Sequence, residues 1–319
     1  MIAAQAIHFV RRQQINTELW DACINASANG LIYATSIYLD AMCNSQWCAL
    51  VNNDYSTVMP LPNRKKYGIK YIYQPAMTQQ SGIFSIHEIT ADLVNTFIKK
   101  IPSNFWYIET SLNAANTISK YPTVARKNYL LDITKPYAAL KSNYHRSAKR
   151  NIHKAIEQGI EVKMNISPTD IIAMHRQRFN DSIGAKNSDY VQFEQLANQL
   201  IYDGKCFTIG AFNAQQQLIA GSIYWVFKNR ITFILNGNLP ESLACGATHL
   251  LKDKVIEQFS GGHYWLDFEG SDFPQFARFY DQFGNTEIEY YQSLIINKLL
   301  WPIKLLKRRT LFQNSLCNQ

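Results

Sequence analysis

The order of strand and helix patterns in the second half of the chain restricts its fold more than any other feature. Runs of β-branched and aromatic residues alternate there with segments whose apolar residues recur every three or four positions. The pattern predicts strands at 160–164, 206–212, 218–227, 230–236, 263–268 and 288–295, and helices that begin at Ser167, Tyr190, Gly246 and Pro274. Residues 160–295 therefore read β, α, α, β, β, β, α, β, α, β. We predict an α/β fold of the α+β kind, with a mixed sheet.

A shorter version of this order occurs in the first half. Two helices, near 17–28 and 36–43, are followed by strand patterns at 47–51, 57–61 and 70–74, a helix from Thr90 and a strand at 105–109. The last of these strands matches 264–267 in residue type and position. We infer an internal duplication, with one unit at 1–133 and another at 134–319. A chain of 319 residues that is 47% hydrophobic can form two such cores.

One predicted helix, from Thr134 to Gly159, has an apolar face and a basic face. The basic face carries seven residues between positions 141 and 154, a segment that contains no carboxylate. The chain as a whole has a formal charge of +8, which favours an anionic partner such as a nucleotide cofactor, RNA or an acidic lipid surface. The basic face is either a solvated surface or a contact for phosphate groups, and DNA is not an expected partner.

Six cysteines and seven histidines show no spacing typical of a metal site, so we expect no bound metal and reduced thiols in a cytoplasmic protein. No secretory signal pattern precedes the first helix, and no apolar run is long enough to span a bilayer. The basic and apolar segment from Lys298 to Phe312 packs on the body of the protein or lies on a membrane surface.

Acidic and aromatic residues meet in the stretch from His263 to Gly284. The strand pattern ends in Leu266-Asp267-Phe268-Glu269-Gly270-Ser271, and the following helix contains Phe279-Tyr280-Asp281-Gln282-Phe283-Gly284. The helix motif resembles the late helix of the Gcn5-related N-acetyltransferase (GNAT) fold. The strand motif is similar to the corresponding stretch of the FemAB and FemX peptidyltransferases, which use a doubled version of that fold. The element order of 160–295 is also that of the GNAT fold.

This resemblance implies a set of site residues in the second unit. Tyr280 would be the acid that protonates the leaving group, and Asp267 or Glu269 would act as a base or an amine anchor. The other carboxylate would have a structural role, such as a helix N-cap contact by Asp267 or a salt bridge to Arg278. The first unit has no counterpart of the helix that carries Tyr280, so we expect it to be a substrate platform or a structural half.

The resemblance also implies a donor site formed by backbone groups. An amide of the strand that ends with Leu235 and Asn236 would hold the acyl carbonyl, and the helix start at Gly246, Ala247 and Thr248 would bind the phosphates of the donor. The usual Arg/Gln-x-x-Gly-x-Gly/Ala pattern is only partly kept, because Leu243 stands where Arg or Gln belongs. The donor is therefore either an acyl-coenzyme A, which most of the superfamily uses, or an aminoacyl-tRNA, which FemAB-like enzymes use.

We predict an N-acyltransferase of the FemAB-like type that transfers an acyl or aminoacyl group to an amine. The acceptor would be a small molecule or a cell-envelope precursor such as a peptidoglycan precursor. The alternative is a non-catalytic module of the same fold that binds RNA or an anionic surface through the basic helix.

Overall fold

The computed structural model describes residues 6–179, 185–270 and 272–298. Its strands are β1 (Ile7–Arg11), β2 (Trp47–Asn52), β3 (Thr57–Lys66), β4 (Ile69–Ile72), β5 (Phe84–Ser85), β6 (Phe105–Leu112), β7 (Thr123–Asp132), β8 (Glu161–Met164), β9 (Cys206–Phe212), β10 (Leu218–Phe227), β11 (Arg230–Asn238), β12 (Trp265–Asp267) and β13 (Thr286–Asn297). Its helices are α1 (Thr17–Ala26), α2 (Ser36–Cys43), α3 (Ala91–Lys100), α4 (Tyr137–Ser142), α5 (Arg146–Glu157), α6 (Pro168–Phe179), α7 (Asn187–Tyr202), α8 (Pro240–Cys245), α9 (Ala247–Phe259) and α10 (Pro274–Asp281). The predicted α/β class with a mixed sheet is confirmed.

The described residues form two compact units. The first contains the residues up to Arg126 together with those from Tyr290 onward, and the second contains Lys127–Glu289. The predicted division at 133 and 134 differs from this one, because β7 lies mostly in the second unit and most of β13 lies in the first. None of the described helices is both long and apolar enough to cross a membrane.

The first unit is built on a sheet in which β1, β2, β3 and β4 are antiparallel neighbours. β6 joins β4 in parallel, and β13 pairs antiparallel with β6. Its core packs α3 against the sheet through residues that include Leu61, Ile72, Val94, Phe97 and Phe105. Sequence reasoning missed β1, because three of its five residues are exposed and no alternation marks it.

The second unit repeats this order. β8, β9, β10 and β11 are antiparallel neighbours, β12 joins β11 in parallel, and β7 pairs antiparallel with β12. Two helices separate the first and second strands of each unit, and a helix precedes each parallel strand. The inferred duplication is therefore visible in the topology, and the first copy is more complete than the sequence indicated.

Each unit takes its last strand from the other half of the sequence. β7 follows β6 along the chain but pairs with β12, and β13 follows β12 but pairs with β6. Sequence patterns gave sequential units because periodicity identifies a strand without identifying its neighbour. This exchange is the reason why the compact units do not coincide with the predicted ranges.

The predicted helix from Thr134 to Gly159 is two helices. α4 ends at Ser142, and α5 begins at Arg146, after a turn at 143–145. The backbone N–H of His145 donates to the carbonyl of Gln282, 3.0 Å away, which holds the turn against the end of α10. The apolar faces of α4 and α5 join the core of the second unit through Leu140, Tyr144, Ala148 and Ile152.

Candidate functional site

The parallel strands β11 and β12 pair over only three residues. Arg230, Ile231 and Thr232 lie opposite Trp265, Leu266 and Asp267. Beyond this point the chain after β12 stays with β7, because the Phe268 N–H donates to the Tyr129 carbonyl at 2.9 Å and the Tyr129 N–H donates to the Glu269 carbonyl at 3.3 Å. β11 continues to Asn238 along β10. Among the described residues no strand pairs with β11 at 233–238 on this side, so the predicted opening between the two strands is present.

A β-bulge lies at the start of this opening. Leu235 lies opposite Ile223 and Phe233 lies opposite Tyr224, which leaves Ile234 as the extra residue. A bulge bends its strand and increases the local twist, and this one lies just after the point where β11 stops pairing with β12. The strand was correctly predicted, but the bulge has no signal in its sequence.

Leu235 and Asn236, predicted to hold the acyl carbonyl, follow this bulge. Leu235 is buried, and the carbonyl of Asn236 accepts a hydrogen bond from Nδ1 of His175 on α6 at 2.7 Å. Because a carbonyl only accepts, Nδ1 carries the proton. Burial lowers the pKa of His175, which keeps the ring neutral. A donor-binding role for Leu235 and Asn236 remains a prediction.

Two stacked aromatic rings lie on the β12 side of the opening. The ring of Tyr280 on α10 stacks on Phe268, with 4.8 Å between centroids and 14° between planes, and Tyr129 packs against it at 5.7 Å. Helix α10 begins at Pro274, as predicted, because proline fits the first helical position, where no amide donor is needed. Only 8% of Tyr280 is exposed.

The environment of Tyr280 keeps its phenol protonated. Burial raises the pKa of Tyr280, and the negative charges of Glu269 and Asp267 raise it further. A phenol of this kind donates a hydrogen bond or a proton but does not serve as a base at neutral pH. Its role as an acid remains a prediction.

Asp267 is a buried structural carboxylate. It is 1% exposed, one oxygen lies 3.0 Å from Nη1 of Arg230, and the other accepts the Glu269 N–H at 2.8 Å. Burial raises the pKa of Asp267, and the charge of Arg230 opposes that shift. The structural roles predicted from sequence for one of the two carboxylates were a helix N-cap contact by Asp267 or a salt bridge to Arg278 of α10, whereas the cation beside Asp267 is Arg230, which begins the neighbouring strand. With both oxygens engaged, Asp267 fixes the end of β12.

Glu269 lies closer to solvent than Asp267. Its side chain is partly exposed, and its backbone has a φ of 60°, in the left-handed region that few residues other than glycine and asparagine adopt. This left-handed residue changes the direction of the chain two residues after Asp267, the last residue of β12. Both carboxylates raise the pKa of the Tyr280 phenol, and Glu269 is the more exposed of the two.

The predicted phosphate site at Gly246, Ala247 and Thr248 lies against α5. A Cβ on Gly246 would lie 2.2 Å from the carbonyl oxygen of Asn151, and the φ of Gly246 is +83°. Ala247 is buried, Thr248 is partly exposed, and Nζ of Lys154 donates to the Ala244 carbonyl at 2.8 Å. Close packing of α9 on α5 therefore accounts for the glycine. Phosphate binding by these residues remains a prediction.

The basic face predicted for this region lies on α5 and on the turn before it. His145, Arg146, Lys149, Arg150, His153 and Lys154 are exposed. Two of the amines reach backbone carbonyls, since Lys149 donates to Ser142 and Lys154 donates to Ala244, each at 2.8 Å. The segment from Lys298 to Phe312, predicted to pack on the body of the protein or to lie on a membrane surface, falls after Lys298 outside the described residues.

Sequence reasoning missed a buried amine on α9. Lys252 is enclosed beside Tyr224 and Phe233, three residues before Val255 and four before Ile256. That spacing places it on the apolar stripe of the helix, so a lysine within the stripe was the sequence feature that could have revealed it.

Among the described residues, no group of three His, Cys, Asp or Glu side chains could hold a metal ion.

Comparison with solved structures identifies the fold as the GNAT-like, FemAB-like fold that the sequence motifs predicted. FemX aligns over 92% of this chain and 98% of its own, with a TM-score of 0.64 at 12% identity. L-PGS from Bacillus licheniformis aligns over 92% and 95%, with a TM-score of 0.52 at 8% identity. A C-terminal domain from Agrobacterium fabrum that carries the name lysylphosphatidylglycerol synthetase aligns over 87% and 91%, with a TM-score of 0.52 at 10% identity. No model of a known family and no curated sequence matches the chain.

Proposed function

We propose that the chain is a FemAB-like N-acyltransferase that transfers an aminoacyl group to an amine. The observation that carries the proposal is the opening between β11 and β12, with the protonated Tyr280 phenol on one side and the β-bulge on the other. An acyl ester placed in this opening would have a proton donor beside its leaving oxygen. The similarity of the fold to FemX supports the same class of reaction.

The state of Tyr280 favours an oxygen ester over a thioester as the donor. A thiolate is a weak base, since the pKa of a cysteine thiol is about 8.5, and it does not need a proton from a phenol whose pKa is raised. The alkoxide that leaves an oxygen ester is a much stronger base and does need one. The aminoacyl ester of tRNA has this chemistry, whereas acyl-coenzyme A does not.

The packing of α9 supports the same choice. Coenzyme A would place its pyrophosphate at the start of this helix, where the Gly246 backbone is in contact with Asn151 of α5. The exposed cations of α5 offer a separate surface to the phosphates of an RNA. We therefore place acyl-coenzyme A second among the donors.

The acceptor in this proposal is an amine on a cell-envelope precursor. Glu269, partly exposed and close enough to the Tyr280 phenol for its charge to act there, would hold the acceptor as its ammonium form. A peptidoglycan precursor with a free side-chain amine meets this requirement. The reaction would take place in the cytoplasm, where charged tRNA is available.

The donor is tested by two binding measurements on the full chain. Filter binding with charged tRNA is expected to show saturable binding that weakens as salt is raised, and isothermal titration with acyl-coenzyme A is expected to show none. Transfer of a radiolabelled amino acid from tRNA to a lysine-containing cell-wall precursor peptide then tests the reaction. Absence of binding and of transfer with both donors would remove the enzyme proposal.

A second candidate function is a non-catalytic module that binds RNA through α5, which the exposed basic face of that helix favours. Two variants separate the candidates. Tyr280→Phe should lower the turnover of an enzyme by about 10²-fold or more while its tRNA affinity stays unchanged. Charge reversal of Lys149 and Arg150 should remove tRNA binding in either case. Unaltered transfer by Tyr280→Phe would contradict the role given to this phenol.

A further inference from the structure

A lysine side chain is buried in the core of the second unit. Lys252 on α9 is 3% exposed; its Nζ lies 2.6 Å from the hydroxyl of Tyr224 and 2.8 Å from the centroid of the Phe233 ring. Lys254, two residues later on the same helix, lies at the surface and pairs with Glu257. Lysine is almost never fully buried unless it is paired, so the position of Lys252 requires an explanation.

The buried amine has no acidic counterpart in the part of the chain that the structure describes. The neighbouring carboxylate, Asp253, is directed to Tyr137 and Lys141 of α4. Burial lowers the pKa of Lys252 well below its usual value and is the sole cause of the shift. A wholly buried lysine without a counterion is more stable as the neutral amine.

The titratable groups around Lys252 come from the elements packed on α9. Tyr224 of β10 contacts the amine, and burial raises the pKa of Tyr224. Cys206 of β9 has a pKa that burial raises as well, and the cations of α5 are exposed. Tyr280 of α10 acts electrostatically on Tyr224. None of these neighbours places a carboxylate at the amine, which lies over the rings of Tyr224 and Phe233.

The Lys252–Tyr224 pair lies beside the residue of β11 at which the opening starts. Phe233 is the first residue of β11 beyond its pairing with β12, lies opposite Tyr224 in register, and is partly exposed. It belongs to the same hydrophobic cluster as Phe268 and Tyr280. Phe233 therefore contacts the buried amine and also stands at the start of the opening.

We propose, on the basis of the function proposed above, that Lys252 is a positioning residue that receives, through the Tyr224 hydroxyl, the proton that the acceptor ammonium loses. The step requires the Phe233 ring to turn aside. The ammonium gives a proton to the Tyr224 oxygen while the proton of Tyr224 passes to Nζ of Lys252. A neutral lysine can accept this proton, whereas a lysine that is already charged cannot.

The rest of the reaction conserves atoms and charge. The freed amine attacks the ester carbonyl carbon, so that a C–N bond forms and the C–O bond to the ribose breaks. Tyr280 protonates the leaving oxygen and regains a proton from the attacking nitrogen. Lys252 releases its extra proton to water when the products leave, which accounts for the one proton that aminolysis by an ammonium produces.

The test compares Lys252→Met with Lys254→Met, which makes the same substitution at the surface of the same helix. Methionine keeps the volume of the buried side chain and removes the amine. We expect Lys252→Met to unfold about 2–4 °C higher than the wild type, because it no longer buries an ionisable group. Turnover should fall by about 10²-fold at pH 7. Lys254→Met should leave turnover unchanged.

The pH dependence of both effects has a defined sign. The pKa of Lys252 is lowered in the folded state, so the unfolded chain binds more protons and wild-type stability falls as pH is lowered from about 10. The gain in unfolding temperature of Lys252→Met should therefore be larger at pH 6 than at pH 9. The deficit in turnover of Lys252→Met should shrink towards pH 9, because hydroxide then removes the proton from the acceptor ammonium. Tyr224→Phe should show the same trend in turnover.

Two results would overturn the proposal. One is a Lys252→Met protein that is less stable than the wild type and keeps its turnover and pH profile, as expected of a packing residue. The other is a charged amine at pH 7 in a ¹⁵N-lysine NMR spectrum, with the Lys252 signal assigned by its loss in Lys252→Met. The NMR spectrum needs no donor, so a charged amine contradicts this inference whatever the protein catalyses. A failure of the proposed function would instead be seen as wild-type protein without transfer activity.

Discussion

The two units share one order of strands but differ where their parallel strands part. In the first unit the chain beyond β4 returns to β6, because Ser81 pairs with Leu112 and the Ser111 N–H donates to the Gln74 side chain at 3.0 Å. In the second unit the chain beyond Thr232 has no such return among the described residues. The same topology thus leaves the two parallel strands bridged beyond their pairing in the first unit and separated in the second. The candidate site proposed above depends on this opening and not on the fold alone.

The groups that hold the two divergences differ as well. In the first unit the seal is formed by neutral amides, since Asn116 accepts from the Ile83 N–H at 2.6 Å and donates to its carbonyl at 3.0 Å. In the second unit the edge of the opening is held by an ion pair between the partly exposed Arg230 and the buried carboxylate of Asp267. We therefore expect stability to depend on pH at the second unit's edge and to be independent of pH at the first unit's seal.

The largest effect on stability is expected for Arg230→Met. It would leave the buried Asp267 carboxylate without its cation, which costs about 3–5 kcal/mol. The pKa of Asp267 is already raised by burial, so its ionisation destabilises the fold as pH rises through that pKa, and more so without Arg230. Urea unfolding should show a larger deficit at pH 7 than at pH 4. The double variant Arg230→Met with Asp267→Asn should recover most of the loss at pH 7, and a deficit of equal size at both pH values would contradict this account.

A smaller loss is expected for Asn116→Ala in the first unit. The substitution leaves the N–H and C=O of Ile83 without these partners, at a cost of about 1–3 kcal/mol. Because no titratable group is involved, the loss should be the same at pH 5 and pH 8. Asn104→Ala, at an exposed asparagine of the same unit, is the matched control and should stay within about 0.5 kcal/mol of the wild type. If the stability lost in Asn116→Ala depended on pH, the expected difference in pH dependence between the two units would be contradicted.

The smallest effect is expected for Glu269→Gln. As the anchor of the acceptor ammonium, Glu269 should set the KM for the acceptor, which should rise about tenfold, or about 1.4 kcal/mol, with little change in kcat. Glu109→Gln is the control in the first unit, where Glu109 accepts a hydrogen bond from Tyr107 at 2.9 Å. A fall in kcat with an unchanged KM would assign Glu269 the role of a base instead.

Much of the architecture could be predicted from the sequence, because periodicity reports which face of an element is buried. The element order of the second half and the helix that begins at Pro274 were predicted correctly, and α8 was the one addition within that order. The exchange of β7 and β13 could not be predicted, since pairing depends on contacts between residues far apart in sequence.

The candidate site was only partly accessible from sequence for the same reason. Motifs pointed to Tyr280, to Asp267 at the end of β12 and to Glu269 just after it, but not to Arg230 as the partner of Asp267. The packing of Gly246 against Asn151 likewise depends on α5, more than 90 residues earlier in the chain. Lys252 could be recognised from the sequence as a lysine within an apolar stripe. Its possible role could be inferred only from the structure, which places it beside the opening.

Hydrogen–deuterium exchange of the full chain, with and without charged tRNA, tests most directly whether the donor enters the opening of the second unit. We predict that tRNA slows exchange in peptides covering 233–238 and 268–270, together with those of α5, and leaves 74–81 of the first unit unchanged. Slower exchange on α5 alone, or at 74–81 in place of the second unit, would contradict the account.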